Sequence, residues 1–404
     1  MRRVVLFMGI LLCTSCSGPT KAGKEARALA HQRMAIVNAD LAAQQAKQQF
    51  EVGQLDAAIT TINGAIARYG KNGDYHLLRG RILLEQHRLD AAFQSLESAI
   101  EHIPHLAEPY YFLGVLHQRW GEDSKALEAY ELAMKNDPHH PQYLLATAES
   151  HVALHQLDDA IQLLMEAKQE FQHHPSVSSL LGQIYLTKGD PAQAAIWFED
   201  SRLLGNDNNE TLTSLINAQF QAGQYADCLS TLSIFANEED SLSPTFRRIR
   251  GKCLAATGRL IEGRDICLRV TRETPDDAGA WADLGYISWE MGDYRRLGRC
   301  GEHVSQLDSS LPEGPLFEGI AAIHAGNEEL AKEKLKSLES YNTFHGIEEL
   351  LQIYAKNTKL DLETPLHLDS RVKTAEGLSE QHSQELVEGS QPVASVSSDS
   401  PDAP

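Results

Sequence analysis

The sequence predicts an all-α protein built as a stack of helix pairs. Three observations carry that expectation. A 34-residue period runs from Ala39 to His345, small residues recur at two fixed points of each period, and a glycine stands where one helix must turn back into the next. Composition points the same way, because aromatics are only 7% while Ala, Leu, Gln and Glu recur throughout, which favours helix over sheet.

Counting in steps of 34 from Ala39, six windows keep phase. One additional residue enters between Asn237 and Ser243, and three further windows run to His345. The eighth residue of each window is Ala46, Gly80, Gly114, Ala148, Gly182, Ile216, Gly251, Gly285 or Gly319. The twentieth is Ala58, Ala92, Ala126, Ala160, Ala194, Cys228, Gly263, Leu297 or Ala331. Small side chains on both helices of a pair let the two backbones approach closely.

The turn is expected at the fifteenth residue, where Gly53, Gly121, Gly189, Gly223, Gly258, Gly292 and Gly326 can take the left-handed conformation that ends a helix. His87 and His155 hold that place in the other two windows. Pro104, Pro138 and Pro275, at the thirty-second residue, stop the second helix of their windows.

This pattern resembles the tetratricopeptide repeat, a 34-residue helix-turn-helix unit. The best matches are Tyr110 to His140, with Leu113-Gly114, Ala126, Tyr130, Ala133 and Pro138, and the preceding window with Gly80, Ala92, Leu96, Ala99 and Pro104. Windows six, eight and nine depart from it, with Ile216, Leu297 and Leu338 where small residues are usual. The resemblance implies a right-handed superhelical α-solenoid of about nine repeats over residues 39–345, with the first helix of each pair lining a concave face. It is specific for fold and unspecific for function, since the repeat is a scaffold used for many partners.

A single hairpin buries too few large apolar side chains to offset the cost of ordering its backbone, so neighbours must cover one another. The ends then need covers. Residues 16–38 read as a tether followed by a helix from Lys21 to Asn38, and residues 346–356, with Ile347, Leu350, Leu351 and Ile353, read as a capping helix. Residues 357–404 read as an acidic, disordered tail.

Residues 1–15 read as an export signal, with Arg2 and Arg3 before the apolar run Val4 to Leu12 and small residues after it. The run is too short to span a bilayer unaided. Cys16, following a small residue, resembles the acylated cysteine of a bacterial lipoprotein, although Cys13 stands where leucine is usual. The resemblance implies a lipid anchor at Cys16, and Ser17 after it suggests the outer membrane facing the periplasm. Simple secretion into the periplasm or medium is the alternative.

A net charge of −20 argues against nucleic acid as the main ligand. Cys228, Cys253, Cys267 and Cys300 all fall in expected helices, where thiols pack as small apolar groups; Cys253 and Cys267 sit in one hairpin and are candidates to approach each other. Phosphate-loop, dinucleotide, zinc-protease and serine-hydrolase motifs are absent from the sequence, so neither an enzyme nor a cofactor is expected, and no small-molecule substrate.

The concave face implied by the resemblance takes residues 2, 5, 9, 12 and 13 of each window. Two stretches of it are candidate partner-binding sites. One joins Tyr111, Val115 and Arg119 to Leu145 and Glu149; the other sets Arg248 and Lys252 beside Tyr286 and Trp289, the mixture of cations and aromatics that interfaces favour. The twelfth residues Phe50, Leu84, Val152, Leu186, Phe220, Ala255, Trp289 and Ile323 form either a binding ladder or packing between repeats. Lys47 and Arg81 form either a small basic patch or two solvated charges. The pairs His139-His140 and His173-His174, 34 apart, are expected along one edge as exposed loop histidines rather than metal ligands. The function expected is a non-catalytic adaptor that holds a protein or peptide, exported and lipid-anchored, assisting assembly or positioning of a cell-envelope complex. The alternative is a carrier of polysaccharide or another small ligand.

Overall fold

The computed structural model describes residues 20–235, 242–338 and 341. The export signal with Cys13 and Cys16, the expected capping helix at 346–356 and the acidic tail lie outside the described residues. Two compact units divide at Gln224 and Tyr225.

The first unit alternates leading and returning helices: α1 (Lys21–Glu51), α2 (Leu55–Arg68), α3 (Gly73–Glu85), α4 (Leu89–His102), α5 (Ala107–Arg119), α6 (Asp123–Asn136), α7 (Pro141–Ala153), α8 (Leu157–Ala167), α9 (Pro175–Thr187), α10 (Pro191–Leu203) and α11 (Asn209–Gln221). The second contains α12 (Tyr225–Phe235), α13 (Pro244–Ala256), α14 (Leu260–Glu273), α15 (Ala278–Glu290), α16 (Tyr294–Leu307), α17 (Glu313–His324) and α18 (Glu328–Ser337). No strand occurs among the described residues. Each unit is an all-α stack of tetratricopeptide-type helix pairs.

Local chemistry sets the helix boundaries. Side chains of Asn72, Asn208, Ser243 and Asp277 accept hydrogen bonds from the first free N–H groups of α3, α11, α13 and α15. Pro141, Pro175, Pro191 and Pro244 occupy first-turn positions that lack an N–H partner in any case. The leading helices end in left-handed residues: Gly53, Gly121, Gly189, Gly223, Gly258, Gly292 and Gly326, plus His87 at φ 56° and His155 at φ 58°. In both histidine turns the next amide reaches back to close the helix, Arg88 N–H to the Leu83 carbonyl at 2.9 Å and Gln156 N–H to the His151 carbonyl at 2.8 Å.

The interior differs in detail from the small-against-small packing that the sequence suggests. A Cβ on Gly80 would lie 2.8 Å from Leu96, on Gly114 2.5 Å from Tyr130, and on Gly182 2.8 Å from Phe198. The eighth residue, seven before the turn residue, therefore makes room for a large side chain at the twenty-fourth, nine after it. In the α13–α14 pair the backbones themselves come close, with the Gly251 carbonyl 2.5 Å from where a Cβ on Gly263 would sit.

The α15–α16 pair has Gly301 at its twenty-fourth residue, and the gap is used differently. Phe317, from α17, fills the space against Gly285, and α17 backbone atoms of Gly314 and Glu318 come within 2.7 and 2.8 Å of a Cβ placed on Gly301.

Two expectations need correction. The helix expected to end at Asn38 runs on through the first repeat as α1, because no glycine or proline interrupts residues 24–51. Cys228, Cys253, Cys267 and Cys300 are buried thiols, none of them in a disulfide. The thiol hydrogen-bonded with Cys253 is that of Cys228, which together with burial raises the Cys253 pKa far above the usual thiol range. Cys267 instead fills the space beside Gly251.

Candidate partner-binding faces

In the first unit, α5 and α7 place their candidate residues in one neighbourhood. Tyr111 lies at the centre of an aromatic cluster, its ring 5.3 Å from Phe112, 5.6 Å from Tyr130 and 5.4 Å from Tyr143. Its hydroxyl accepts a hydrogen bond from Gln142 Nε2 at 2.9 Å, which fixes the ring against α7. Burial raises the Tyr111 pKa, and the charge of Glu149 raises it further. Tyr143 is pushed up to about 12, mainly by burial. Val115 and Leu145 are half-buried on the same two helices.

Arg119 and Glu149 turn out to have different employment. Arg119 donates from Nη1 to the Leu84 carbonyl at 2.7 Å, so its charge sits on the C-terminal end of α3 and binds α5 to it. Glu149 keeps exposed surface, and its carboxyl is raised in pKa by lost hydration alone. No ion pair engages it among the described residues, which makes it the residue of this face readiest to accept a cation from outside.

Arg81 belongs to the same surface and carries more structure than its place in a basic patch suggests. Its guanidinium lies 5.5 Å from the centroid of Phe50 and 5.0 Å from that of Phe112, and it bonds Glu108 at 3.0 Å. Phe50 and Phe112 each stand 31 residues from Arg81, a regular spacing that exposes the sandwich in the sequence once the period is known. Lys47 pairs with Glu51 at 3.9 Å. Neither cation is a bare charge awaiting a carboxylate.

In the second unit, Arg248 and Lys252 converge on a carboxylate that sequence reasoning passed over. Arg248 Nε donates to Asp283 Oδ2 at 2.6 Å and Nη1 to Asp277 Oδ2 at 3.0 Å, while Lys252 Nζ stands 3.5 Å from Asp283 Oδ1. Asp283 is buried. Gly279 makes room for the guanidinium, which lies 2.5 Å from where a Cβ would be. Tyr286 bonds Glu313 at 3.3 Å and meets Phe317 edge-on at 5.0 Å, and Trp289 packs on the apolar core shared by α15, α16 and α17. The polar half of this patch is an internal ion network and the aromatic half is partly core.

The ladder of twelfth residues divides between roles. Leu84 and Ala255 are buried, and Phe50, Val152, Leu186, Trp289 and Ile323 pack partly against the hydrophobic clusters of their hairpins. Among the histidines, His139 bonds Glu170, and His140 stacks on Tyr143 at 4.3 Å. No group of three metal-ligating side chains occurs among the described residues, and no described helix is long and apolar enough to cross a membrane.

A family model described as tetratricopeptide repeat matches residues 44–106 and 145–208, and a second model of the same description matches residues 107–140. The matches end at residues 106, 140 and 208, directly before α5, α7 and α11 begin. The chain carries tetratricopeptide repeats over residues 44–140 and 145–208. Proteins of this family are generally non-catalytic scaffolds, and they typically bind protein partners.

No curated protein sequence matches the chain. Among solved structures, the pilF protein of Pseudomonas aeruginosa is 20% identical at a TM-score of 0.40, over 54% of this chain and 97% of that one. MamA is 18% identical at 0.37, over 39% and 93%. PilW, described as a type IV pilus biogenesis factor, is 16% identical at 0.37, over 62% and 97%. Likenesses at this level say nothing of what the tetratricopeptide protein described here binds.

Proposed function

We propose that this tetratricopeptide protein is a non-catalytic adaptor that holds an extended segment of a protein partner on the α5–α7 face. The observation that carries this reading is the Glu149 carboxylate, raised by desolvation and close enough to Tyr111 and Tyr130 for its charge to bear on both rings. A partner side chain with a cation and an apolar stem meets both needs at once, neutralising the carboxylate while covering ring faces. The test is a photo-crosslinking residue introduced at Val115. The adaptor reading expects a discrete protein adduct that Glu149→Ala abolishes. Absence of any adduct, with glycan retained on the purified protein, replaces it with the carrier reading.

The adaptor works outside the cytoplasm in this proposal, exported by residues 1–15 and held in the cell envelope by acylation of Cys16. Support comes from Arg2, Arg3, the apolar run to Leu12 and the small residues before Cys16. A tethered scaffold with an open binding face suits the assembly or positioning of an envelope complex. Cys16→Ser should move the protein from the membrane fraction to the soluble fraction; continued extraction by detergent alone would remove the anchor from the proposal.

A further inference from the structure

In later hairpins the third residue of the leading helix is covered by the hairpin before it, as Tyr75, Tyr143, Val177, Thr211 and Ala280 all are. Leu41 holds that place in the first hairpin and is 66% exposed, with no hairpin before it among the described residues. Helix α1 continues the uncovered face upstream, where Met34 and Val37 are 63% and 64% exposed. With 3.6 residues per turn, Met34, Val37 and Leu41 share one narrow arc. That arc lies opposite Ala39 and Ala46, the two buried residues of α1. The helix thus has two opposed apolar faces, one buried in the first hairpin and one open.

Cations border the open stripe. On the same helical geometry Arg27 and Arg33 fall on its two sides, with Lys24 and Lys21 further toward the helix start. From Lys21 to Met34 these four cations face Glu25 alone, a net +3 in a chain of −20, so the remaining residues carry −23. Two copies paired side by side in parallel through this stripe would bring like charges together. A surface of anionic headgroups attracts the segment and repels the rest of the chain, which selects α1 as the point of contact.

We infer that α1 as far as Leu41 lies on an anionic lipid surface, with Met34, Val37 and Leu41 at the boundary of headgroups and acyl chains and Arg27 and Arg33 reaching the phosphates. The contact orients the hairpins that follow α1 in the first unit relative to the bilayer. It does not require acylation of Cys16.

The test uses the full chain carrying Val37→Trp, mixed with vesicles of phosphatidylglycerol and phosphatidylethanolamine bearing brominated acyl chains. A bromine-quenched component should appear beyond that of the four native tryptophans. Its partition constant should fall about fivefold with Arg27→Gln and about fivefold again with Arg33→Gln. It should persist when Cys16→Ser is added, so that failure of the anchor and failure of this contact are read separately. No quenching at position 37, or equal quenching on purely zwitterionic vesicles, overturns the inference. So does an unquenched probe in a chain that sediments as a dimer and is made monomeric by Met34→Glu with Leu41→Glu, which would assign the stripe to a second copy.

Discussion

The Tyr130 ring occupies the space that a side chain on Gly114 would fill, its Cε1 lying 2.5 Å from that position. The same ring stands 5.6 Å from Tyr111, so the packing of α5 on α6 also sets the aromatic floor of the proposed binding face. Gly114→Val should therefore cost about 2 kcal/mol or more by overpacking. It should also displace Tyr111, measured as loss of the tyrosine near-ultraviolet circular dichroism. Combining it with Tyr130→Leu should recover part of the loss in urea unfolding. No recovery would mean that the two residues do not compete for one space.

His87 and His155 hold left-handed turns that glycine holds elsewhere. A side chain pays a steric cost there that glycine avoids, partly offset by glycine's greater freedom when unfolded. His155→Gly and His87→Gly should each raise stability by about 0.5 kcal/mol, whereas His155→Val should lower it. Thermal unfolding of the three variants decides the matter, and a stabilising valine would contradict the turn geometry.

Asp283 accepts from Arg248 and neutralises Lys252 in a buried setting. Asp283→Asn leaves two cations facing a neutral group and should cost about 2 kcal/mol in chemical unfolding. Trp289 fluorescence, reporting the neighbouring core, should shift in the same transition. An unchanged midpoint would show that the network is a surface arrangement with little energetic weight.

Glu149 titrates above its ordinary value of 4.5 because burial strips its hydration. A raised carboxyl pKa means that the folded state binds the proton more tightly. Its contribution is then fully present below about pH 4.5 and is lost as pH rises through the folded value. Glu149→Gln should stabilise the protein at pH 7 and make no difference at about pH 4. The same variant should weaken a partner that presents a cation to this face. Parallel pH–stability curves for the two proteins would show that the carboxyl is ordinarily solvated.

How much was legible varies by level. The helix pairs could be read because Gly121, Gly189 and their equivalents recur at a fixed place, and a left-handed turn is a local demand that one residue meets. The partner of Gly114 was less legible. Small residues announce close approach without saying which side chain fills the space, and only the packed pair shows that Tyr130 rather than Ala126 does so. The Arg248 patch was misleading in part, since cations set beside aromatics by their window positions found Asp283 and Asp277 instead, 35 and 29 residues from Arg248.

Sequence alone determined the period, the turns and the family, because each follows from local conformational preference and from hairpins too small to stand without neighbours. Only the tertiary structure decided which charges are satisfied internally, leaving Glu149 short of a cation while Arg81, Arg119 and Arg248 are engaged. It also left Leu41 uncovered at the start of the array. Ion pairing and burial depend on which residues of different hairpins are brought together, and that is set by packing across the array rather than by any single segment.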